Sequence, residues 1–259
     1  MKIVVCVKQV PNTNEVRIDP VTGTLIRDGI PSIMNPDDKN ALEEALRLKD
    51  EHNAHVTVIT MGPPQADKVL YEALAMGADE AVLLTDRAFA GADTWATSLA
   101  LSKAIEKIEY DIIFAGRQAI DGDTAQVGPE IAEQLNIPQV TYVEKVEALN
   151  GELRVRRALE DGYESIRIKT PCLLTCIKEL NQPRYMNMWD IFTCFNKKIK
   201  VMTADDLDVD KAELGLKGSP TKVKKSFTKG PRGQGEKINM PPMEAASFVA
   251  AKLKEKHFI

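Results

Sequence analysis

Residues 116–129 read Gly-Arg-Gln-Ala-Ile-Asp-Gly-Asp-Thr-Ala-Gln-Val-Gly-Pro and follow directly on the apolar run Tyr110-Asp-Ile-Ile-Phe-Ala115. A strand that empties into a Gly- and Asp-rich loop, with a helix beyond it, is how open α/β sheets hold ligands outside their strand ends. The chemistry suits a nucleotide. Glycines allow close backbone approach, and small polar side chains leave main-chain N–H groups available to phosphate oxygens. The segment contains neither GxGxxG nor GxxxxGK[ST], so it is neither the dinucleotide fingerprint nor a Walker loop. Asp123 and Gln126 also have the spacing of a capping box, and a capped helix start that binds nothing accounts for the same residues.

Other reactive residues are sparse. The cysteines (Cys6, Cys172, Cys176, Cys194) are too few and too irregularly spaced for a disulfide framework. Cys172 and Cys176 fall within the apolar run Cys-Leu-Leu-Thr-Cys, which reads as a buried strand, and His52, His55 and His257 do not cluster with them. A metal site is therefore not expected, and reduced core thiols are.

The chain has 259 residues, 44% of them hydrophobic and 28% charged, which is the composition of a soluble globular protein. The net charge of −4 argues against nucleic acid as the main partner. No apolar stretch reaches bilayer length, and Met1-Lys2 leads straight into a strand, so a cytoplasmic protein without membrane insertion is expected.

The elements that must position the loop alternate. Lys2 to Val7 reads as a buried strand, and Arg17 to Arg27 as a hairpin excursion turning at Pro20-Val-Thr-Gly23. A helix follows Ile33-Met-Asn-Pro36, with Asp37 and Asp38 in its first turn and Ala41, Leu42, Ala45, Leu46 and Leu48 on its apolar face. Strands at His55–Thr60, Glu80–Leu84 and Asp111–Ala115 alternate with helices at Ala66–Met76 and Thr94–Ile108. This rhythm predicts parallel βαβ units with right-handed crossovers and helices on both faces of one sheet.

Past Pro138 the rhythm changes. Gln139–Ala148, Glu152–Leu159 and Glu164–Lys169 read as antiparallel strands turning at Asn150-Gly151 and Asp161-Gly162, and Pro171–Ile177 rejoins the main sheet. Residues 196–237 are basic and Gly/Pro-rich and read as an extended arm, followed by an amphipathic helix over Pro242–Lys256 with Ala246, Val249, Ala250 and Leu253 on one side. The expected fold class is α/β: a mostly parallel, Rossmann-like nucleotide-binding sheet with a small antiparallel addition and an extended C-terminal arm ending in a helix. The expected organisation is a nucleotide- or flavin-binding domain over 1–195 and an arm over 196–259 that docks on another chain.

The segment Val155-Arg-Arg-Ala-Leu-Glu-Asp-Gly-Tyr-Glu-Ser-Ile-Arg-Ile-Lys-Thr-Pro-Cys-Leu-Leu-Thr175 resembles the signature of the beta subunit of electron-transfer flavoproteins. The matching positions are Val155, Arg157, Glu160, Asp161, Gly162, Glu164, Ile166, Pro171, Leu173, Leu174 and Thr175. The resemblance extends to the opening Ile3-Val-Val-Cys-Val-Lys8, to Met34-Asn-Pro36, to Met61-Gly-Pro63 and to the 116–128 loop, which look like the family's nucleotide loops. Ordinary members resemble Asp-Asp-Asp in that loop and hold AMP. Asp121-Gly-Asp-Thr-Ala-Gln-Val-Gly-Pro129 looks instead like the electron-bifurcating subgroup, which holds a second FAD there. Asp86-Arg-Ala-Phe-Ala-Gly-Ala-Asp-Thr-Trp-Ala-Thr97 resembles the same subgroup. Gly122 removes one carboxylate and its bulk beside a phosphate-bearing ligand.

The resemblance implies a heterodimer with an FAD-bearing alpha subunit, in which NADH delivers hydride to FAD held by this chain. One electron then goes to ferredoxin or flavodoxin, and the other passes through the alpha-subunit FAD to an acyl-CoA dehydrogenase. NADH oxidation belongs to the heterodimer, no catalytic side chain is implied, and AMP is the alternative occupant. A nucleotide-sensing regulatory domain is the alternative outside the family. The implied cofactor-binding residues are Cys6, Asn35, Asp38 and Met61 on the adenosine side, then Gly91, Asp93, Thr94 and Thr97 at a helix start. The loop adds Gly116, Arg117, Gln118, Ala119, Ile120, Asp121, Gly122, Asp123, Thr124, Ala125, Gln126 and Val127. Asp93 serves equally as a plain helix cap. Lys8 either neutralises phosphate or is solvated, and Arg117 either places positive charge near reduced flavin or makes a surface salt bridge. The stretch Leu180, Asn181, Gln182, Pro183, Arg184 and Tyr185 is similar to the family's dehydrogenase-docking loop, with Leu180 as an exposed anchor.

Overall fold

The computed structural model describes residues 1–12, 17–18, 25–26, 31–224, 235 and 237–259. They form a compact unit over Met1–Lys224 and a second unit over Lys225–Ile259.

The first unit is built on a nine-stranded sheet. In chain order its strands are β1 (Lys2–Cys6), β6 (His55–Met61), β7 (Glu80–Leu84), β8 (Ile112–Gly116), β9 (Gln139–Ala148), β10 (Glu152–Leu159), β11 (Gly162–Lys169), β12 (Cys172–Cys176) and β13 (Ile199–Met202). Their spatial order is β11-β10-β9-β12-β8-β1-β6-β7-β13. All neighbours from β9 to β13 pair in parallel, while β9, β10 and β11 form the antiparallel meander. Two small antiparallel pairs lie between β1 and the first helix. One joins β2 (Gln9–Pro11) to β5 (Ser32–Met34), and the other joins β3 (Arg17–Ile18) to β4 (Leu25–Ile26). The β3–β4 pair is the expected hairpin excursion, whose turn at Pro20–Gly23 lies outside the described residues.

Alternation along the strands separates two cores. Ile3, Val5 and Val7, with Ile112 and Phe114, face α1 (Pro36–His52) and α2 (Asp67–Met76). Val4, Cys6, Ile113 and Ala115 face α3 (Thr94–Ile105) and α4 (Val127–Gln134) on the other side. The period-2 alternation of strands puts successive side chains on opposite faces, so strands covered by helices on both sides read as continuous apolar runs. α1 starts with Pro36 in its first turn and Asp37 and Asp38 just behind it, and α2 stops at Gly77, whose φ of 125° few other residues adopt.

The chain order places the binding edge. From β1 the chain winds outward through β6 and β7, then returns to lay β8 on the other side of β1. The point where winding reverses lies between the C-terminal ends of β1 and β8, which is where open sheets of this kind open a crevice.

Two expectations differ from the structure. Residues 199–202 lie in the segment read as an extended arm, yet they form edge strand β13, paired in parallel with β7 from Ile199↔Ala81 to Met202↔Leu84. Beyond β13 come short helical turns at Ala204–Asp206 and Lys211–Glu213 and the short helix α6 (Gly215–Gly218), so the compact unit extends to Lys224. The capping box between Asp123 and Gln126 does not form. α4 begins at Val127 with Gln126 as an N-cap that makes no side-chain capping bond, and Asp123 instead accepts from the Gln118 side-chain amide. In the second unit, α7 (Pro242–Glu255) has proline in its first turn, Glu244 near its start and Lys252 and Lys254 near its end, matching the helix dipole.

Candidate functional site

The ends of β1 and β8 are tied by one carboxylate. Asp38 Oδ2 accepts from Lys8 N at 2.8 Å and Asp38 Oδ1 accepts from Gly116 N at 3.0 Å. The junction is tight enough to require glycine, since a Cβ on Gly116 would stand 2.7 Å from the Asp38 backbone nitrogen. Burial pushes the Asp38 carboxyl up to about 7 against the opposing hydrogen bonds from Asn35, Lys8 and Gly116. Asn35, fully buried at the head of α1, fixes the next stretch of loop. Its side-chain amide donates to Gln118 O at 2.9 Å, and its Oδ1 accepts from Ile120 N at 3.1 Å. Lys8 Nζ then reaches Asp121 Oδ1 at 2.7 Å, an ion pair with the loop that is neither of the two roles expected for it.

Past Ile120 the loop turns back on itself. Gly122 N and Asp123 N both donate to Ala119 O, and Asp123 and Ala125 take φ values of 57° and 55°. Left-handed residues in a tight turn can expose main-chain N–H groups on one side of the loop, an arrangement suited to anions. Gly122 is exposed, its φ is not left-handed, and a Cβ there would meet nothing within 4 Å among the described residues. Neither backbone conformation nor protein packing demands a glycine at this position.

Two helix starts meet at the far end of the loop. Thr94 Oγ1, in the first turn of α3, lies 3.3 Å from Oε1 of Gln126, the N-cap of α4, and 3.1 Å from Oε1 of Glu130 in the first turn of α4. The N-termini of α3 and α4 thus adjoin, and their unsatisfied N–H groups supply partial positive charge. Gly128 lets α4 close on β12, since a Cβ would come within 2.6 Å of Thr175 Cγ2.

Cys6, Asn35, Asp38 and the 116–127 loop therefore converge at the switch point, and Met61 ends the neighbouring strand β6. Cys6 is buried, and burial together with Asp38 pushes its thiol up to about 12, so it remains a neutral thiol at physiological pH. Asp93 is engaged elsewhere. Its Oδ1 caps α3 through Ala96 N at 3.1 Å, while its Oδ2 accepts from Thr221 N and Thr221 Oγ1 at 2.9 and 2.8 Å. Burial works to raise the Asp93 carboxyl, but these hydrogen bonds hold it below the usual range. Gly91, at φ 74°, packs beside Leu216, whose Cβ would be 3.2 Å from a Cβ added there. Among the described residues no group of three or more His, Cys, Asp or Glu is placed to hold a metal ion.

The docking stretch requires a correction. Leu180 is only 8% exposed and belongs to the core on the α1 face, so it is not an exposed anchor. Asn181 is bound to α1, with its amide donating to Asn40 O and Glu44 Oε2, and it receives the Asn40 amide in return. Arg184 is clamped to Glu43 and Asp50. The exposed apolar side chains come afterwards. Tyr185 is 96% exposed, and Met188, Trp189 and Phe192 on α5 (Met188–Thr193) are 69%, 75% and 71% exposed. The run Met-Asn-Met-Trp-Asp-Ile-Phe over 186–192 was the signal for this patch, because it is apolar without a one-sided helical pattern.

A mostly parallel sheet with a loop at its switch point and two helix starts behind it defines a doubly wound α/β protein. The electron transfer flavoprotein domain matches residues 22–213. The chain is 71% identical over 259 residues to an electron transfer flavoprotein subunit beta of Clostridium acetobutylicum, covering 100% of both chains. It is 55% identical to the caffeyl-CoA reductase–Etf complex subunit CarD of Acetobacterium woodii, again over 100% of both. It is 48% identical to the acryloyl-CoA reductase electron transfer subunit gamma of Anaerotignum propionicum, with the same full coverage. The protein belongs to the electron transfer flavoprotein family and is similar along its whole length to beta subunits.

Proposed function

We propose that this chain is the beta subunit of an electron-bifurcating flavoprotein and that its switch-point site takes FAD. The observation that carries this reading is Gly122, a glycine that neither backbone nor packing requires. Its effect falls on the ligand side, where it leaves room and omits a carboxylate beside the phosphates. The adjoining starts of α3 and α4 suit two linked phosphates better than one. Relatives named for a caffeyl-CoA reductase–Etf complex and for acryloyl-CoA reductase support a role in electron transfer linked to a CoA-ester reductase.

In this reading Asn35 and Asp38 hold the loop in shape, backbone N–H groups from Thr124 to Gly128 contact phosphate, and Asp121 or Asp123 accepts from a ribose hydroxyl. Thr94 and Thr97 take the second phosphate or the ribityl chain. Asp93 supports the helix start through its cap and does not contact cofactor. FAD, when bound, supplies the acceptance of hydride from NADH and the division of the electron pair between ferredoxin or flavodoxin and the alpha-subunit FAD. The protein contributes position, charge and exclusion of water. Met188, Trp189 and Phe192 form the anchor for an acyl-CoA dehydrogenase, and the terminal helix α7 docks on the alpha subunit.

Nucleotide content of the heterodimer tests the reading. Two FAD per pair are expected, whereas one FAD with stoichiometric AMP identifies a non-bifurcating carrier and overturns it.

A further inference from the structure

The ladder between β12 and β9 breaks beside the loop. Leu173 pairs with Gln139 and Leu174 with Val140, but Cys176 pairs with Val143, so Thr141 and Tyr142 together oppose Thr175. This is a bulge, a device that re-aims a side chain. Its second residue, Tyr142, has φ 58° and is 40% exposed. A left-handed aromatic residue carries strain that the surroundings must hold in place. Here the hold is Thr175, which is 1% exposed. Its Oγ1 accepts from Tyr142 N at 3.4 Å, and its methyl lies against Gly128 of α4.

The re-aimed ring meets Arg117. The guanidinium carbon stands 5.9 Å from the Tyr142 ring centroid, within the range of a cation–π contact. Arg117 is the first residue after β8, and its N–H donates to Cys176 O at 2.8 Å, so its backbone is fixed at the same bulge. Its Nε lies 3.5 Å from Asp37 Oδ2, and that buried nitrogen makes no hydrogen bond among the described residues. Burial raises the Asp37 carboxyl, with Arg117 acting in the opposite direction. A strained tyrosine, a carboxylate and a strand end thus confine one guanidinium at the root of the candidate cofactor loop.

We propose that Tyr142 is a positioning residue, and that the strained bulge fixes the Arg117 guanidinium as a stationary positive charge at the rim of the cofactor site, favouring the reduced, anionic form of a flavin held there. The redox half of this proposal rests on the FAD reading above; the positional half does not. A fixed cation lowers the energy of a nearby anion more than that of a neutral ring, and the effect grows as solvent is excluded.

The test uses the full heterodimer with Tyr142→Phe, Tyr142→Gly and Arg117→Gln. Glycine removes the ring and relieves the left-handed strain, so a folding defect does not confuse the result. The Arg117 Nε–H resonance reports position. A sharp, dispersed signal is expected in the parent and in Y142F and its collapse in Y142G, and an unchanged signal in Y142G overturns the proposal. The potential of the beta-site flavin reports charge. R117Q and Y142G should weaken reduced-over-oxidised cofactor binding by about tenfold, equivalent to about 30 mV for a two-electron couple. Equal potentials in all variants, in protein holding two FAD, overturn the redox half. One FAD with AMP instead overturns the FAD reading and the redox half with it, and the resonance still judges the position.

Discussion

Arg184 donates three hydrogen bonds to Glu43, from its backbone N at 2.9 Å, from Nε at 2.9 Å and from Nη2 at 3.1 Å, while Nη2 also reaches Asp50 at 2.8 Å. The clamp, with the Asn181–Asn40–Glu44 contacts beside it, fastens residues 181–184 to the middle of α1. The Glu43 side chain is 6% exposed, so it depends on this partner. Removing one member of a buried pair leaves an uncompensated charge and costs about 3–5 kcal/mol, and partial exposure of Arg184 places R184A towards or below the lower end. R184K keeps the charge but loses the planar fork, and should recover only part of the loss. Denaturant unfolding of the heterodimer measures both, and an R184A value within error of the parent would refute the clamp.

Trp189→Ala should slow electron delivery to the dehydrogenase about tenfold, the scale of a single interface hot spot, and leave NADH reduction of flavin intact. Leu180→Ala should act differently. With its side chain in the core, it should lower stability by about 2–5 kcal/mol. Stopped-flow reduction by NADH, dehydrogenase turnover and thermal melting separate the two. Normal stability with impaired docking in L180A would reinstate Leu180 as the anchor.

Gly122→Asp should shift the bound nucleotide from FAD towards AMP without harming the fold, because the new side chain enters open space. Released nucleotides and the melting temperature are the readouts. Full FAD occupancy in G122D would show that this position does not select the cofactor.

Asp38 should give the site a pH response near neutrality. Its folded pKa, about 7, lies above the usual 3.8 because burial disfavours the charged form. An acid shifted upward binds its proton more tightly when folded, so its contribution favours folding at low pH and is lost as pH rises from about 4 through about 7. Carboxyl carbon NMR should show this group titrating between pH 6 and 8. A midpoint below pH 5 would mean that the N–H groups of Lys8 and Gly116 outweigh burial.

Much of the architecture was legible because strands covered on both faces are continuous apolar runs, as at Lys2–Cys6 and Ile112–Gly116. The meander was legible through its glycines, with Gly151 and Gly162 at φ values of 77° and 154° marking both turns. Strand β13 was not. Ile199-Lys-Val-Met is short and faces neighbours on one side only, and its lysine matches the basic composition around it. Within the site, loop 116–127 and its contacts to Asn35 and Asp38 were indicated by residue type. The engagement of Asp93 with Thr221 was hidden because the partners stand 128 positions apart. The burial of Leu180 was hidden for a related reason, since nothing in Leu-Asn-Gln-Pro reveals that Asn181 and Arg184 draw the segment onto α1.

Asp93 also sets a practical limit on shortening the chain. Its backbone N donates to Ser219 Oγ at 2.9 Å, and its carboxylate grips Thr221 while capping α3. A truncation ending after Lys224 retains the anchor, whereas one ending at Gly218 strips away part of what holds the start of α3. Trimming the tail by a few residues too many would therefore show up first as poor cofactor retention, in a protein whose sheet was untouched.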